Sequence, residues 1–339
     1  MDLFRFDPPT LTDDEVGSIA AERYGLAGAT QRLRGERSHN TLFTTDDGGQ
    51  FVLKIASPSE PHATIDFHAK ALVHLERHAP RLPVARMVQS LDGELVPVID
   101  VGGQRHSMRL VTYLAGVTFD DDQPISLRGL RAIGSLVGAL SAALVGFDHA
   151  ASGEFMPWDI ANGLILDAEL WSGLGDDARS LLTPVRPRLE AALDVMQRLP
   201  RQIIHNDGHG GNLLRSSSDS DIVTGVIDFG DLVHTVTVAD LGVSGANMVP
   251  HQADPIAALA ALASGFHEHR PLSEVEVAAL PELVLCRLTL STLLVEHQIA
   301  QAPHIAEAVA DERPGLIANV ERWLAIDPEQ AADHIQENL

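Results

Sequence analysis

Polar side chains between residues 203 and 231 have the types and spacing needed to handle a phosphate group. Asp207 follows an apolar stretch, Asn212 comes five residues after it, and Asp228 ends a second apolar stretch. Carboxylate and amide oxygens are the hard ligands that Mg²⁺ accepts in proteins, and phosphoryl transfer needs a carboxylate that accepts the proton of the attacking hydroxyl. The pattern therefore predicts Asp207 as catalytic base, Asn212 and Asp228 as Mg²⁺ ligands, and ATP or GTP as phosphate donor.

Two predicted strands, 203–204 and 222–227, must position these side chains. A serine-rich break separates them, so the polar residues are expected to converge about one hairpin apart. His205 is interpreted as a scaffold residue that bonds the loop after the second strand, because the neighbouring aspartate already supplies a base. His209 is interpreted as a loop residue near the substrate, and Asp231 as a residue that lines the acceptor pocket or assists the metal.

The patterns His205-x-Asp207-x(4)-Asn212 and Asp228-Phe229-Gly230-Asp231 together resemble the aminoglycoside phosphotransferase and choline kinase family. This family consists of small-molecule kinases, and the resemblance covers most of the chain. Residues 35–40, ahead of Lys54, are most similar to those of hydroxylysine kinase-like bacterial members. The resemblance implies transfer of a nucleotide phosphate to an amino alcohol, with hydroxylysine expected first and an aminoglycoside or homoserine-type acceptor as the alternative.

The resemblance also implies an α+β, protein-kinase-like fold with two lobes. The expected N-terminal lobe, residues 1–111, binds nucleotide and contains an antiparallel five-stranded sheet plus a helix. A hinge over 112–116 would connect it to a larger, mainly helical lobe, 117–339, that contains the catalytic loop and the substrate site. In the hinge, the backbone groups of Thr112 and Leu114 are the positions that match the family's purine contacts.

Two side chains of the N-terminal lobe are predicted to contact the nucleotide phosphates. By turn chemistry alone, residues 35–40 form an ordinary hairpin turn, whereas the resemblance places the Ser38 hydroxyl and the nearby backbone amides at the phosphates. Lys54 lies in an apolar predicted strand, where it is either an outward-facing lysine of a half-exposed sheet or, by the shared layout, the lysine that holds the phosphates.

Three further positions have two interpretations each. The family's lysine-pairing glutamate is replaced here by His68, which is either a surface histidine of the predicted helix 61–79 or a residue beside Lys54. Trp158 and Asp159 are either an aromatic anchor followed by a capping aspartate, or residues that line the substrate site.

Periodicity and turn residues predict the remaining elements. Thr12 and Glu15 indicate a capping box that starts the first helix, which Gly25 ends. The other predicted elements are strands near 30–33, 41–44, 50–55, 84–89, 94–100 and 106–114, helices over 126–147 and 178–199, apolar helices over 252–325 broken at Pro271 and near Pro303, and a polar tail from 327.

The formal charge of −23, from 24 basic and 47 acidic residues, disfavours nucleic acid and anionic membranes as partners. It favours a small cationic, hydroxyl-bearing substrate, although an acidic chain can also simply be well solvated. Cys286 is the only cysteine, so an intramolecular disulfide and a cysteine-based zinc site are excluded. No membrane-spanning segment and no leader are expected, which makes a cytoplasmic location the default.

Two other classes of protein compete with a kinase. The spacing His205-x-Asp207-x-His209 suits a metal-dependent hydrolase, but such a site needs further ligands and leaves Asn212 and Lys54 unexplained. A nucleotide-binding pseudokinase is supported only by His68 at the glutamate position.

Overall fold

The computed structural model describes residues 6–119, 125–218, 220–301 and 313–339. The chain divides into two compact units, Met1–Ala115 with Phe147–Ser152, and Gly116–Gly146 with Gly153–Leu339. Each unit has its own buried apolar residues. The lobe and hinge boundaries given above stay a prediction.

Two helices and six strands form the described part of the first unit. They are α1 Asp13–Tyr24, β1 Ala29–Leu33, β2 Ser38–Thr44, β3 Gln50–Ala56, α2 His62–His78, β4 Met87–Val88, β5 Val98–Val101 and β6 Gln104–Thr112. The capping box starts α1 as predicted, since the Thr12 hydroxyl accepts from the Glu15 N–H and Glu15 accepts from the Thr12 N–H. Gly25 ends this helix in the left-handed conformation that glycine adopts at low cost.

The sheet of the first unit has six strands, in the order β1-β2-β3-β6-β4, with β5 also paired to β6. The predicted count of five is therefore wrong. β6 is nine residues long, so it can pair with β5 along residues 104–107 and with the two-residue β4 at 110–111. The alternation of the sequence did not show that two short strands share one long neighbour.

Two helices cover different residues of β3. Leu53 and Ile55 belong to an apolar cluster that includes Val16 and Ala20 of α1. Ala56 belongs to a second cluster, with residues of α2. Because side chains alternate along a strand, Lys54 lies on the face that α2 covers.

The second unit is mainly helical in its described part. Its elements are β7 Val117–Thr118, α3 Leu127–Ala143, α4 Ala168–Ser172, α5 Asp176–Leu182, α6 Arg186–Met196, β8 Arg201–Ile204, β9 Leu213–Arg215, β10 Val223–Val226, β11 Val233–Val236, α7 Ala239–Met248, α8 Pro255–His267, α9 Glu274–Gln301, α10 Arg313–Leu324 and α11 Pro328–Glu337. The strands form two small antiparallel sheets, β10-β9-β7 and β11-β8.

Small residues let α3 and α8 pack with their backbones in contact. A Cβ atom on Gly134 would lie 1.9 Å from the carbonyl oxygen of Leu262, and one on Gly138 would lie 2.4 Å from that of Phe266. No side chain fits at these distances, so both positions require glycine.

Several elements differ from those predicted. The helix expected over 178–199 is two helices, α5 and α6, separated by a 3₁₀ turn at Thr183–Val185, because Pro184 and Pro187 each lack a backbone N–H for a continuous helix. The tail from 327 is helix α11, which buries Ala331 and Ile335 one turn apart. The break predicted near Pro303 lies outside the described residues.

One helix of the second unit has the length and apolar composition of a membrane span, contrary to the expectation from the sequence. It is α9, and 83% of its apolar window is buried inside the protein. The core helix of a folded protein passes the same test of length and composition. Trp323 of α10 donates its indole N–H to the carbonyl of Pro281 within this helix.

Candidate active site

The loop after β8 holds the predicted base and one predicted metal ligand in direct contact. The Asn212 side-chain amide donates to Asp207 Oδ2 at 2.6 Å and to the Asp207 carbonyl at 3.1 Å. Because both bonds use the nitrogen of the amide, Asn212 Oδ1 points away from Asp207. Asp207 is half-buried and Asn212 is buried, so the contact is partly shielded from water.

Asp228 lies next to this loop through a backbone connection. The Ile227 N–H donates to the Asn212 carbonyl at 2.9 Å, and Asp228 itself has φ of +60°. A positive φ is uncommon for a residue with a side chain, although aspartate and asparagine adopt it more readily than most. The predicted pair of metal ligands, Asn212 and Asp228, thus lies on adjoining segments of the second unit.

The strand pairing behind this arrangement differs from the expected hairpin. β8, which leads into Asp207, pairs with β11, whereas β10, which leads into Asp228, pairs with β9. The two strands that precede the aspartates are therefore not paired with each other. Both aspartates follow strands whose partners lie elsewhere in the second unit.

His205 is buried against the Asp228 loop. Its Nε2 lies 3.2 Å from the Ile227 carbonyl, and its ring meets the ring of Phe229 edge-on at 4.8 Å. Burial lowers the pKa of His205 to about 4, although the charge of Asp228 acts in the opposite direction. The ring is therefore neutral at physiological pH, when Nε2–H donates to the carbonyl.

The backbone before Asp207 is anchored by Asp240 of α7. Its carboxylate accepts from the His205 N–H at 3.3 Å and the Asn206 N–H at 2.8 Å. Burial raises the pKa of Asp240 to about 6, against the effect of these two bonds. These two bonds hold the backbone immediately before Asp207.

A buried arginine that the sequence did not single out lies beside Asp207. Arg287 of α9 has its Nη2 3.9 Å from Asp207 Oδ1, and its Nη1 donates to the Trp158 carbonyl at 2.7 Å. Its guanidinium also lies over the Trp158 ring, 5.0 Å from the ring centroid. Burial lowers the pKa of Arg287, while the charges of Asp207, Asp231 and Asp159 act to raise it.

Asp159 ties the Trp158 loop to β11. Its Oδ1 accepts from the Thr235 hydroxyl at 2.7 Å and from the Ala161 N–H at 2.9 Å, and burial raises its pKa. The bond from Ala161 is a capping contact within a turn, and the bond from Thr235 is a long-range contact with β11. Whether Trp158 and Asp159 also line a substrate site stays a prediction.

His209 lies at the start of the 3₁₀ turn that contains Asn212. Its Nδ1 accepts from the Gly211 N–H at 3.0 Å, and its Nε2 lies 3.7 Å from Asp207 Oδ1. The structure thus brings together Asp207, Asn212 and His209, and connects them to Arg287 and the Asp228 loop.

The other predicted site residues lie in the first unit. The Ser38 hydroxyl donates to Asn40 Oδ1 at 2.7 Å, and Lys54 is half-buried in β3. The Thr112 N–H donates to the Arg86 carbonyl, so a purine contact at Thr112 would have to use its carbonyl oxygen. The phosphate and purine roles of Ser38, Lys54, Thr112 and Leu114 stay predictions.

His68 is buried in α2, with an exposed fraction of 1%. The interpretation as a surface histidine is therefore wrong. Asp66, two residues earlier, pairs with Lys70 at 2.6 Å and His149 at 3.2 Å. It is engaged within its own helix and with the Phe147–Ser152 segment.

Comparison with known proteins identifies the family of this chain. A family model described as "Phosphotransferase enzyme family" matches residues 29–274. The chain is 26% identical over 325 residues to the hydroxylysine kinase of Danio rerio, covering 91% of this chain and 90% of that protein.

Solved structures show the fold. The microcompartment-associated aminopropanol kinase has a TM-score of 0.72 at 20% identity and covers 92% of this chain and 98% of its own. The amicoumacin kinase hAmiN, solved with AMP-PNP, Ca²⁺ and Ami, has a TM-score of 0.71 at 15% identity and covers 94% and 97%. The protein-kinase-like fold predicted from the sequence is thereby confirmed.

Proposed function

We propose that this protein transfers the terminal phosphate of ATP or GTP to the hydroxyl of an amino alcohol. The chain belongs to the phosphotransferase enzyme family and is a small-molecule kinase. The observation that carries this proposal is the hydrogen bond between Asn212 and Asp207 at 2.6 Å. A backbone hydrogen bond between Ile227 and Asn212 joins this segment to the one that contains Asp228. A carboxylate for the acceptor proton and two oxygen ligands for a metal lie on adjoining segments.

In this proposal Asp207 accepts the proton of the acceptor hydroxyl. The acceptor oxygen forms a bond to the terminal phosphorus, and the bond from that phosphorus to the bridging oxygen breaks to release a nucleoside diphosphate. Arg287 supports Asp207 with a positive charge, because a nearby cation favours the ionised form of a carboxylate. Asn212 donates to the same carboxylate and orients it.

The residues fit a divalent cation. Asn212 Oδ1 is turned away from Asp207, and the Asp228 carboxylate is exposed at the end of its loop. Amide and carboxylate oxygens are the ligands that Mg²⁺ prefers, with water and phosphate completing its coordination. When bound, Mg²⁺ would neutralise charge on the phosphates of the donor.

Hydroxylysine is the first acceptor to test. The similarity to a hydroxylysine kinase and the net charge of −23 both favour an amine-bearing acceptor. Homoserine and aminoglycosides are the alternatives. In the described part of the chain no group of three or more His, Cys, Asp or Glu side chains is arranged to hold a metal. The additional ligands that a metal-dependent hydrolase would need are therefore not found among these residues.

Release of nucleoside diphosphate tests the proposal. The wild-type protein is assayed with ATP and with GTP in the presence of Mg²⁺, across hydroxylysine, homoserine, 3-aminopropan-1-ol and an aminoglycoside. Acceptor-dependent release that Asp207→Asn lowers by about 100-fold or more, with an unchanged circular dichroism spectrum, supports it. Release that is independent of the acceptor, or that is nearly unchanged in Asp207→Asn, contradicts it.

A further inference from the structure

The second unit contains a cavity beside the loop of the proposed base. Its volume is about 1060 Å³, and His209 and Gly210 form part of its wall. His209 is also the residue whose Nε2 lies 3.7 Å from Asp207 Oδ1. A concave site of this kind next to a catalytic loop is where a small substrate binds in most enzymes.

The wall of the cavity has an apolar part and a polar part. Phe119 and Met248 contribute apolar surface, while Asn247 at the end of α7 and Asn319 of α10 contribute amides. Such a wall can bury the carbon chain of a small polar molecule and leave its charged groups to be held by specific side chains.

The wall contains the charged residues Arg322 and Asp254, together with the imidazole of His251. Arg322 of α10 and His251 both lie in this wall, and partial burial lowers the pKa of His251, with the charge of Arg322 acting in the same direction. Asp254 is the acidic residue of the described wall, and its Oδ1 is used to accept from the Ala257 N–H at the start of α8.

Arg322 has no ion pair or hydrogen bond among the side chains that the structure describes. Its guanidinium is exposed, on a chain whose net charge is −23. An exposed arginine on such an acidic protein would find many carboxylates available at the surface, yet this one borders a cavity instead. Guanidinium groups bind carboxylates through two parallel hydrogen bonds, which makes them selective as well as attractive.

We propose that this cavity holds the acceptor, and that Arg322 binds a carboxylate of the acceptor. The acceptors are then hydroxyl-bearing amino acids in preference to amino alcohols that lack a carboxylate. The inference rests on the proposed kinase function and adds the part of the acceptor that the enzyme recognises. His251, which also lines the cavity, contributes a second donor.

Matched acceptors test the proposal directly. Homoserine and 3-aminopropan-1-ol differ only by the carboxylate, as do hydroxylysine and 1,5-diaminopentan-2-ol. We expect the wild-type enzyme to have a higher kcat/KM for the amino acid of each pair. Arg322→Gln is expected to raise the KM for the amino acid by about 10- to 100-fold, as for loss of a charge-assisted hydrogen bond, and to leave the KM for the decarboxylated partner within about threefold.

A surface arginine of the same unit gives the control. Arg198 is exposed, and Arg198→Gln removes the same charge from the protein without touching the cavity, so both acceptors should be unaffected. Arg322→Lys, which keeps the charge but not the planar pair of donors, should give an intermediate KM. An equal effect of Arg322→Gln on both acceptors of a pair, or no effect on either, overturns the proposal.

Calorimetric titration separates this inference from the proposed function. If the wild-type protein phosphorylates none of the acceptors, the proposed function fails for those substrates. Titration of wild type and Arg322→Gln with hydroxylysine and homoserine then tests the carboxylate site alone. Binding that is lost in Arg322→Gln supports the site, and absence of binding to the wild type, or equal binding to both proteins, overturns it.

Discussion

The loop that holds the proposed base is anchored by two buried groups that should respond to pH in opposite directions. Burial lowers the pKa of His205 from 6.5 to about 4 and raises that of Asp240 from 3.8 to about 6. At about 1.4 kcal/mol for each tenfold change in proton affinity, each shift corresponds to about 3 kcal/mol of stability.

The signs follow from which state binds the proton more tightly. His205 binds a proton more tightly in the unfolded chain, so its contribution to stability is present above pH 6.5 and is lost as the pH falls towards 4. Asp240 binds a proton more tightly in the folded protein, so its contribution is present below pH 3.8 and is lost as the pH rises through 6. In the wild type the two contributions nearly cancel between pH 4 and 6.5.

Single substitutions should expose one contribution at a time. The free energy of unfolding is measured by urea titration at several pH values between 4 and 6.5, with EDTA present to keep bound metal out of the comparison. Relative to the wild type, His205→Gln should gain up to about 3 kcal/mol as the pH falls across this range, because only the Asp240 contribution remains. Asp240→Asn should lose a similar amount.

The free energy of unfolding of the wild type is subtracted from that of each variant at the same pH. This difference removes the contributions of all the other titrating groups, which the three proteins share. The double variant serves as the control, and its pH dependence should return to that of the wild type. Parallel curves for the wild type and both single variants would refute the reasoning. So would slopes of the same sign in His205→Gln and Asp240→Asn.

Four further predictions concern the base, the proposed metal ligand Asp228, the buried arginine and the glycine contact between helices. Asp207→Asn should lower kcat by about 10²- to 10⁴-fold with little change in the KM for nucleotide. Asp228→Ala should lower kcat and also raise the Mg²⁺ concentration needed for half-maximal rate. A normal Mg²⁺ requirement in Asp228→Ala would contradict the role of Asp228 as a metal ligand. Arg287→Met should cost about 3–5 kcal/mol of unfolding free energy in urea, because it leaves buried carboxylates without their cation; a change below about 1 kcal/mol would contradict this. Gly134→Ala should lower the stability by about 1–3 kcal/mol or more, while the control Gly17→Ala, whose Cβ meets nothing within 4 Å, should be neutral or stabilising by up to about 1 kcal/mol.

Elements determined by nearby residues could be predicted from the sequence. The capping box of α1 needs only Thr12 and Glu15, three residues apart, to be recognised. The close packing at Gly134 and Gly138 follows from small residues at helical spacing. The grouping of Asp207 with Asn212 is likewise local, because five residues separate them.

Features that depend on distant pairing could not be predicted. β8 pairs with β11 rather than with β10, and an apolar strand carries no sign of which neighbour it will choose. Arg287 approaches Asp207 from 80 residues further along the chain. The sequence did contain a signal for it, because a charged residue inside the apolar run 283–290 needs a buried partner, but that signal does not name the partner.

The residues that anchor the loop of the proposed base are separate from those proposed to bind the acceptor. Asn206 and Asp228, on either side of the site, both have positive φ, and such conformations cost about 1–3 kcal/mol each for residues with side chains. Asp240 holds Asn206 through its backbone N–H, and His205 contacts the carbonyl before Asp228. These restraints come from the start of α7 and from β8. Arg322 and His251 of the cavity wall lie on α10 and beyond the end of α7, so these side chains can differ among relatives without disturbing the loop. Acceptor specificity should therefore change by substitutions at Arg322 and His251 that leave the kcat of the phosphoryl transfer nearly unchanged.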